Sequence, residues 1–92
     1  MQFEWDEIKN QTTALKHGIY FEEALEAFAD PDQILVDDLE HSTDAETRYR
    51  LIGRVLGRVV LVVFTIRRQS IRMISARPAS REERIRYEQG KK

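Results

Sequence analysis

"RYRLIGRVLGRVVLVVFTIRRQSIRMISARP", residues 48 to 78, decides the fold, because it reads as three strands in immediate succession. Its middle, "GRVVLVVFTIRR", is apolar at both alternating sets of positions, the pattern of a strand covered on both faces. Gly57 closes a hairpin with "RYRLIGRVL" before it, and "SIRMISARP" follows as the last strand, so the stretch predicts a meander. With a side-chain period of two, Ile71, Met73, Ser75 and Arg77 fall on one face of that last strand, and Arg72, Ile74 and Ala76 on the other.

Working outward, "QILVDD" upstream reads as a further strand, and "DDLEHSTDAET" as an acidic connection into the meander. Earlier still, Phe21, Ala24, Leu25 and Phe28 recur at helical spacing on a helix that Asp30 and Pro31 end. Before it, Asp6 is an N-cap for a helix through Lys16, and Gly18 suits the left-handed position that closes it. "FEWD" at the start is a short extra strand or an extended lead-in. Downstream, Pro78 stops the last strand, and Ser80 with Glu83 forms a capping box for a helix to about Gln89. Ile85 is its one strong apolar anchor, with Glu82 and Arg86, and Arg84 and Glu88, spaced as charge pairs. The expectation is a single α+β domain over residues 1–92. It has two N-terminal helices, an antiparallel sheet of about four strands (with the possible extra N-terminal strand), and a C-terminal helix. The helices lie mainly on one sheet face.

Composition bounds the function classes. The chain has 92 residues, 41% apolar and 34% charged, which suits a globular domain rather than a disordered one. No cysteine is present, which excludes disulfides, thiolate metal sites and thiol catalysis. No Gly-rich phosphate loop, dinucleotide fingerprint or fixed metal-ligand spacing occurs, so no cofactor and no metal are expected. The longest apolar run, "VVLVVF", is too short to span a bilayer, and the acidic start lacks a signal-peptide core. A soluble, unexported, cytoplasmic protein with no membrane partner is the expectation. Net charge is only −1, yet residues 1–46 hold 13 Asp/Glu against two Lys, while residues 47–92 hold 13 Arg/Lys against three Asp/Glu. Eleven of those 13 are Arg, and a guanidinium fork matches phosphate oxygens bidentately. The asymmetry points to an anionic partner, or to the two halves pairing with each other.

An ordered set of segments then carries a resemblance: "FEWDEIKN", "KHGIYFEEALEAFADP", "DDLEH", "RYRLIGR" and "IRMISARPASREERIRYE". Together they cover nearly the whole chain, and they resemble the BrnT toxins of bacterial type II toxin–antitoxin modules. The resemblance implies a RelE-like fold and an endoribonuclease that halts translation. It also implies neutralisation by a DNA-binding antitoxin of the BrnA type, so that DNA is met only through that complex. The family's motif falls here on Lys16, His17, Gly18, Arg48, Arg67, Arg72, Ser75, Arg77, Glu83 and Tyr87.

Metal-free RNA cleavage needs a base for the 2′-hydroxyl, an acid for the leaving oxygen, and fixed positive charge at the phosphorane. Arginine supplies the charge, so Arg67, Arg72 and Arg77 are expected to converge on one phosphate, with Lys16, His17, Arg48, Arg68 and Arg84 binding the rest of the RNA. His41 in the acidic loop is a candidate acid or base near neutral pH. Glu83 and Tyr87, four apart on one helix, form a candidate proton-exchanging pair, with Tyr87 also a stacking platform if exposed. A non-catalytic module docking on a ribosome or partner protein would show the same concentration of arginine.

Overall fold

The computed structural model of the chain describes residues 2–38, 42–43 and 46–91. Five strands form one sheet in the order β1-β5-β4-β3-β2: β1 (Gln2–Glu4), β2 (Ile34–Asp38), β3 (Arg48–Val55), β4 (Arg58–Arg67) and β5 (Ser70–Pro78). Strands β2 to β5 run as an antiparallel meander. The lead-in is a true strand, so the sheet has five members rather than about four. Strand β1 lies parallel beside β5, with Gln2 opposite Ser70 and Glu4 opposite Arg72. The apolar residue between them, Phe3, meets Phe28 edge-on with ring centres 5.0 Å apart.

Both hairpins close in two residues at positive φ, as type I′ turns require: Leu56 and Gly57 at 50° and 81°, Arg68 and Gln69 at 47° and 70°. Gly57 marks the first turn in the sequence. The second has no glycine, and it holds two side-chain-bearing residues where each costs about 1–2 kcal/mol.

Helix α1 (Glu7–His17) begins where the Asp6 side chain accepts from the Ile8 and Lys9 amides, and it ends on Gly18 at φ 73°. The second expected helix is two short ones, α2 (Phe21–Ala24) and α3 (Glu26–Ala29), meeting at Leu25. Hydrogen bonds from Phe28 to the Leu25 carbonyl and from Asp30 to that of Ala27 span three residues, which tightens the second turn. The apolar stripe survives the break: Phe21, Ala24 and Ala27 are buried, and Leu25 and Phe28 pack against the same core.

That core lies between α1 to α3 and one face of the sheet, on Leu51, Val55, Val60, Val62 and Phe64. Helix α4 (Arg81–Gly90) packs on the opposite face, over Ile52, Val59 and Leu61. Helices therefore cover both faces, in place of the one-sided arrangement expected. The capping box of Ser80 and Glu83 opens α4 as predicted. Its anchor is Tyr87, 1% exposed, whereas Ile85 is 45% exposed. The expected surface pairs along α4 do not form among the described residues. Glu88 reaches Arg54 at 3.6 Å, and Arg84 donates to the Ala79 carbonyl at 3.0 Å. Anchoring by Tyr87 turns the neighbouring Glu88 towards β3.

Strand β5 departs from strict alternation. Val63 is opposite Ser75 but Phe64 is opposite Met73, so Ile74 is an extra residue in a bulge. The side-chain phase shifts by one there. Ala76 joins Ile71 and Met73 in the core, while Ser75 and Arg77 move to the face that carries Arg72. The expected division of this strand is corrected accordingly. No described helix is long and apolar enough to cross a membrane.

Candidate functional site

Helix α4 covers only part of its sheet face, above Ile52, Val59 and Leu61 and beside Ile34. Residues directly opposite each other on paired strands share a face. The rest of that face therefore carries Arg48 and Arg50 from β3, Val63, Thr65 and Arg67 from β4, Ser70, Arg72 and Ser75 from β5, and Glu4 from β1. Glu4, Arg72, Thr65 and Arg48 form one row across four strands, and Ser70 with Arg67 forms the next. Neighbouring strands stand about 4.8 Å apart, so these guanidinium groups come from positions within one or two strand spacings of each other. At the edge, Arg67, Arg68 and Arg72 line an open depression of about 620 Å³ with Glu4, Ile66 and Ser70. Thr65 is buried and donates to the Thr47 carbonyl at 2.8 Å, so it braces the floor.

Among the described residues, two carboxylates form ion pairs with these arginines. Glu46 accepts from Arg67 at 3.0 Å and lies 3.5 Å from Arg48, and Glu4 lies 3.7 Å from Arg72. The hydrogen bond from Arg67 holds the Glu46 carboxyl below its usual range, so it is ionised at neutral pH. Exposed pairs of this kind contribute little stability. The Glu46 carboxylate sits between guanidinium groups of adjacent strands, where an oxyanion from another molecule would fit as well.

Arg77 is not part of that group. It is five residues beyond Arg72, about 15 Å along an extended strand, and gives both its terminal nitrogens to Glu83 at 2.9 and 3.0 Å. It does not converge with Arg67 and Arg72 on one phosphate. Burial pushes the Glu83 carboxyl up, but hydrogen bonds from Arg77 and Ser80 outweigh it and hold it below the usual range. That carboxylate is engaged at both oxygens. Tyr87 is buried and donates to Asp30 at 2.6 Å; burial, followed by this bond, raises its hydroxyl above the ordinary value. Glu83 and Tyr87 therefore face different partners, and Tyr87 offers no ring face for stacking.

Lys16 and His17 end α1 beside Gly18, whose carbonyl accepts from Arg58 at 3.4 Å. Arg58 begins the ten-residue strand that Arg67 ends, so these groups sit by the opposite end of β4 from Arg67, about 30 Å along the strand. Arg84 lines a separate groove with Val59, Arg81, Ile85, Glu88 and Gln89. His41 lies outside the described residues. Of the described sequence candidates, Arg48, Arg67, Arg68 and Arg72 come together, and Lys16, His17, Arg77, Glu83, Arg84 and Tyr87 do not join them.

Two participants escaped the sequence reading. Arg50 is two residues from Arg48 in one strand, and strand periodicity places both on the same face. Glu46 lies beside Arg48 and also accepts from Arg67, 21 residues away. Chemically, the face supplies fixed positive charge and hydroxyls, the components that grip a phosphodiester and stabilise charge building on it.

A family model described as the ribonuclease toxin BrnT of type II toxin–antitoxin systems matches residues 5–83. No curated protein matches the chain. The family match runs from Trp5, ahead of α1, through all of β2 to β5 and into the first turn of α4, and so takes in every strand-borne arginine described above. The chain belongs to the BrnT family of ribonuclease toxins of type II toxin–antitoxin systems.

Proposed function

We infer that this toxin is an endoribonuclease that holds single-stranded RNA across the open half of its sheet and cuts it without a metal ion. The observation that carries the reading is the group formed by Arg48, Arg67 and Arg72 in neighbouring rows of a face that α4 leaves uncovered. Attack by the 2′-hydroxyl builds negative charge on the phosphorane, and preformed guanidinium donors stabilise that charge most where they need not reorganise. RNA would displace the Glu46 and Glu4 carboxylates, which the weakness of exposed ion pairs permits. Cleavage of messenger RNA would halt translation. The same basic surface suits a cognate antitoxin of the BrnA type presenting acidic side chains, through which DNA would be met.

The test is incubation of the purified chain with RNA in EDTA. Products ending in a 2′,3′-cyclic phosphate are expected. Replacing Arg67 or Arg72 by Ala should slow cleavage about 100-fold or more while preserving the thermal midpoint, since one lost charge-stabilising donor costs on that order. Cleavage that vanishes in EDTA, or R67A and R72A cutting at the parent rate, would overturn the mechanism. A module that binds and cuts nothing is the second reading. It is favoured by one observation, that no described residue of the face has an ordinary pKa near neutrality. Tight RNA binding without any product would establish it.

A further inference from the structure

Arg50 is the exception among the arginines of the meander. Arg48 and Arg67 share Glu46, Arg72 has Glu4, Arg77 has Glu83, and Arg54 has Glu88. Arg58 donates to the Gly18 carbonyl, and Arg68 stands exposed on its turn. The Arg50 guanidinium makes no hydrogen bond or ion pair with any described residue, and its Nε is the one buried side-chain nitrogen or oxygen among the described residues without a partner.

Buried polar groups are hydrogen-bonded as a rule, and an unmatched one needs a reason. Arg50 is flanked in register by Val36 on one side and Val63 on the other. Between these apolar neighbours water screens it less than it screens an exposed arginine, so an anion arriving there is held more strongly. Glu46, which lies 3.5 Å from Arg48 two residues away, is shared by Arg48 and Arg67.

Resting on the reading of this face as an RNA-binding surface, we propose that Arg50 is an RNA contact, its terminal guanidinium nitrogens donating to a phosphodiester oxygen of the bound strand while the Nε stays buried beneath them. Side chains two apart on a strand stand about 6.7 Å from each other, so Arg48 and Arg50 present guanidinium groups in series along β3. The phosphate that replaces Glu46 between Arg48 and Arg67 then continues into a neighbour on Arg50, towards α4. The strand is thereby given a direction across the sheet, from the Arg68 turn towards the edge of the helix.

The experiment uses the full chain and a 2′-O-methyl oligoribonucleotide, which lacks the attacking hydroxyl and stays intact, with binding read by fluorescence anisotropy over a salt series. Arg50→Met keeps the length of the side chain and removes its charge and donors. Its expected signature is an affinity about tenfold weaker at low salt, and a slope of log affinity against log salt shallower by about 0.7, the value of one phosphate contact on a single strand. Arg50→Lys should keep the slope, because the charge remains. The unbound Arg50→Met protein should melt about 4–8 °C higher than the parent, since an unmatched buried donor is gone.

A slope in Arg50→Met equal to the parent's, with parent binding still sensitive to Arg67→Ala and Arg72→Ala, would overturn the Arg50 assignment and leave the RNA-binding face standing. Arg50→Met binding like the parent but melting lower would mean that ordered water satisfies the guanidinium in a purely structural role. Absence of any oligonucleotide binding by the parent would remove both readings. Should Arg50→Met fail to fold, Arg50→Gln serves for the slope with the same expectation.

Discussion

Asp30 shows how much one side chain can organise. Its carboxylate accepts from the Tyr87 hydroxyl at 2.6 Å, the Arg54 amide at 2.8 Å and the Asp32 amide at 2.8 Å, tying α4, β3 and the exit of α3 together. Tyr87→Phe removes one of these bonds and leaves the ring in place. Stability should fall by about 1.5–3 kcal/mol, the range for a hydrogen bond to a charged acceptor, and RNA affinity should stay unchanged. Urea unfolding and oligonucleotide anisotropy on the same preparation check both halves. Lost affinity at unaltered stability would put Tyr87 in the RNA site after all. At this scale the sequence was legible where signals are local: Asp6, Gly18, Ser80 and Glu83 each act on neighbours within four residues. It paired Tyr87 with Glu83 four residues before it, whereas its hydroxyl partner is 57 residues away.

Among elements, closeness depends on what is missing from a side chain. Gly53 on β3 lies under α3, and a Cβ there would meet the Ala27 Cβ at 2.9 Å and its backbone at 3.0 Å. Gly53→Ala should therefore lower stability by about 1–3 kcal/mol, as overpacking does, through displacement of α3 rather than any change on the arginine face. Thermal melting and near-ultraviolet circular dichroism would register it; a neutral substitution would mean that α3 is free to shift. The bulge at Ile74 acts at the same scale. Without it, strict alternation would have put Ala76 with Arg72 and Arg77 with Met73, and a basic residue would have entered the core. Composition and period do not announce a bulge, because it depends on how β4 pairs with β5.

At the scale of the molecule, both halves of the charge asymmetry find each other in part: Glu4 and Glu46 from the acidic half meet Arg72, Arg48 and Arg67 from the basic half. Burial raises the Asp30 carboxyl, but the bonds from Tyr87, Asp32 and Arg54 outweigh it; Glu83 behaves likewise under Arg77 and Ser80. Both folded-state values lie below the unfolded ones. Their stabilisation is thus fully present above about pH 5, and is lost as pH falls through the depressed values. Urea midpoints should be level in this contribution from about pH 5 to 8 and drop below about pH 4, and D30N or E83Q should flatten that acid limb. An acid limb identical in both variants and the parent would assign the loss to other carboxylates.

What the sequence by itself determined is the order of the main elements and most of their punctuation. The meander, the capped helices and the basic bias of residues 47–92 follow from periodicity, caps and charge, all of which are properties of near neighbours. Only the tertiary structure decided which arginines share a surface. Strand register placed Arg48, Arg50, Arg67 and Arg72 together, the bulge turned Arg77 to their face but Glu83 holds it apart from them, and the length of β4 separated Lys16 and His17 from Arg67. Register and crossing helices set distances between residues far apart in the chain, and no local pattern encodes those distances.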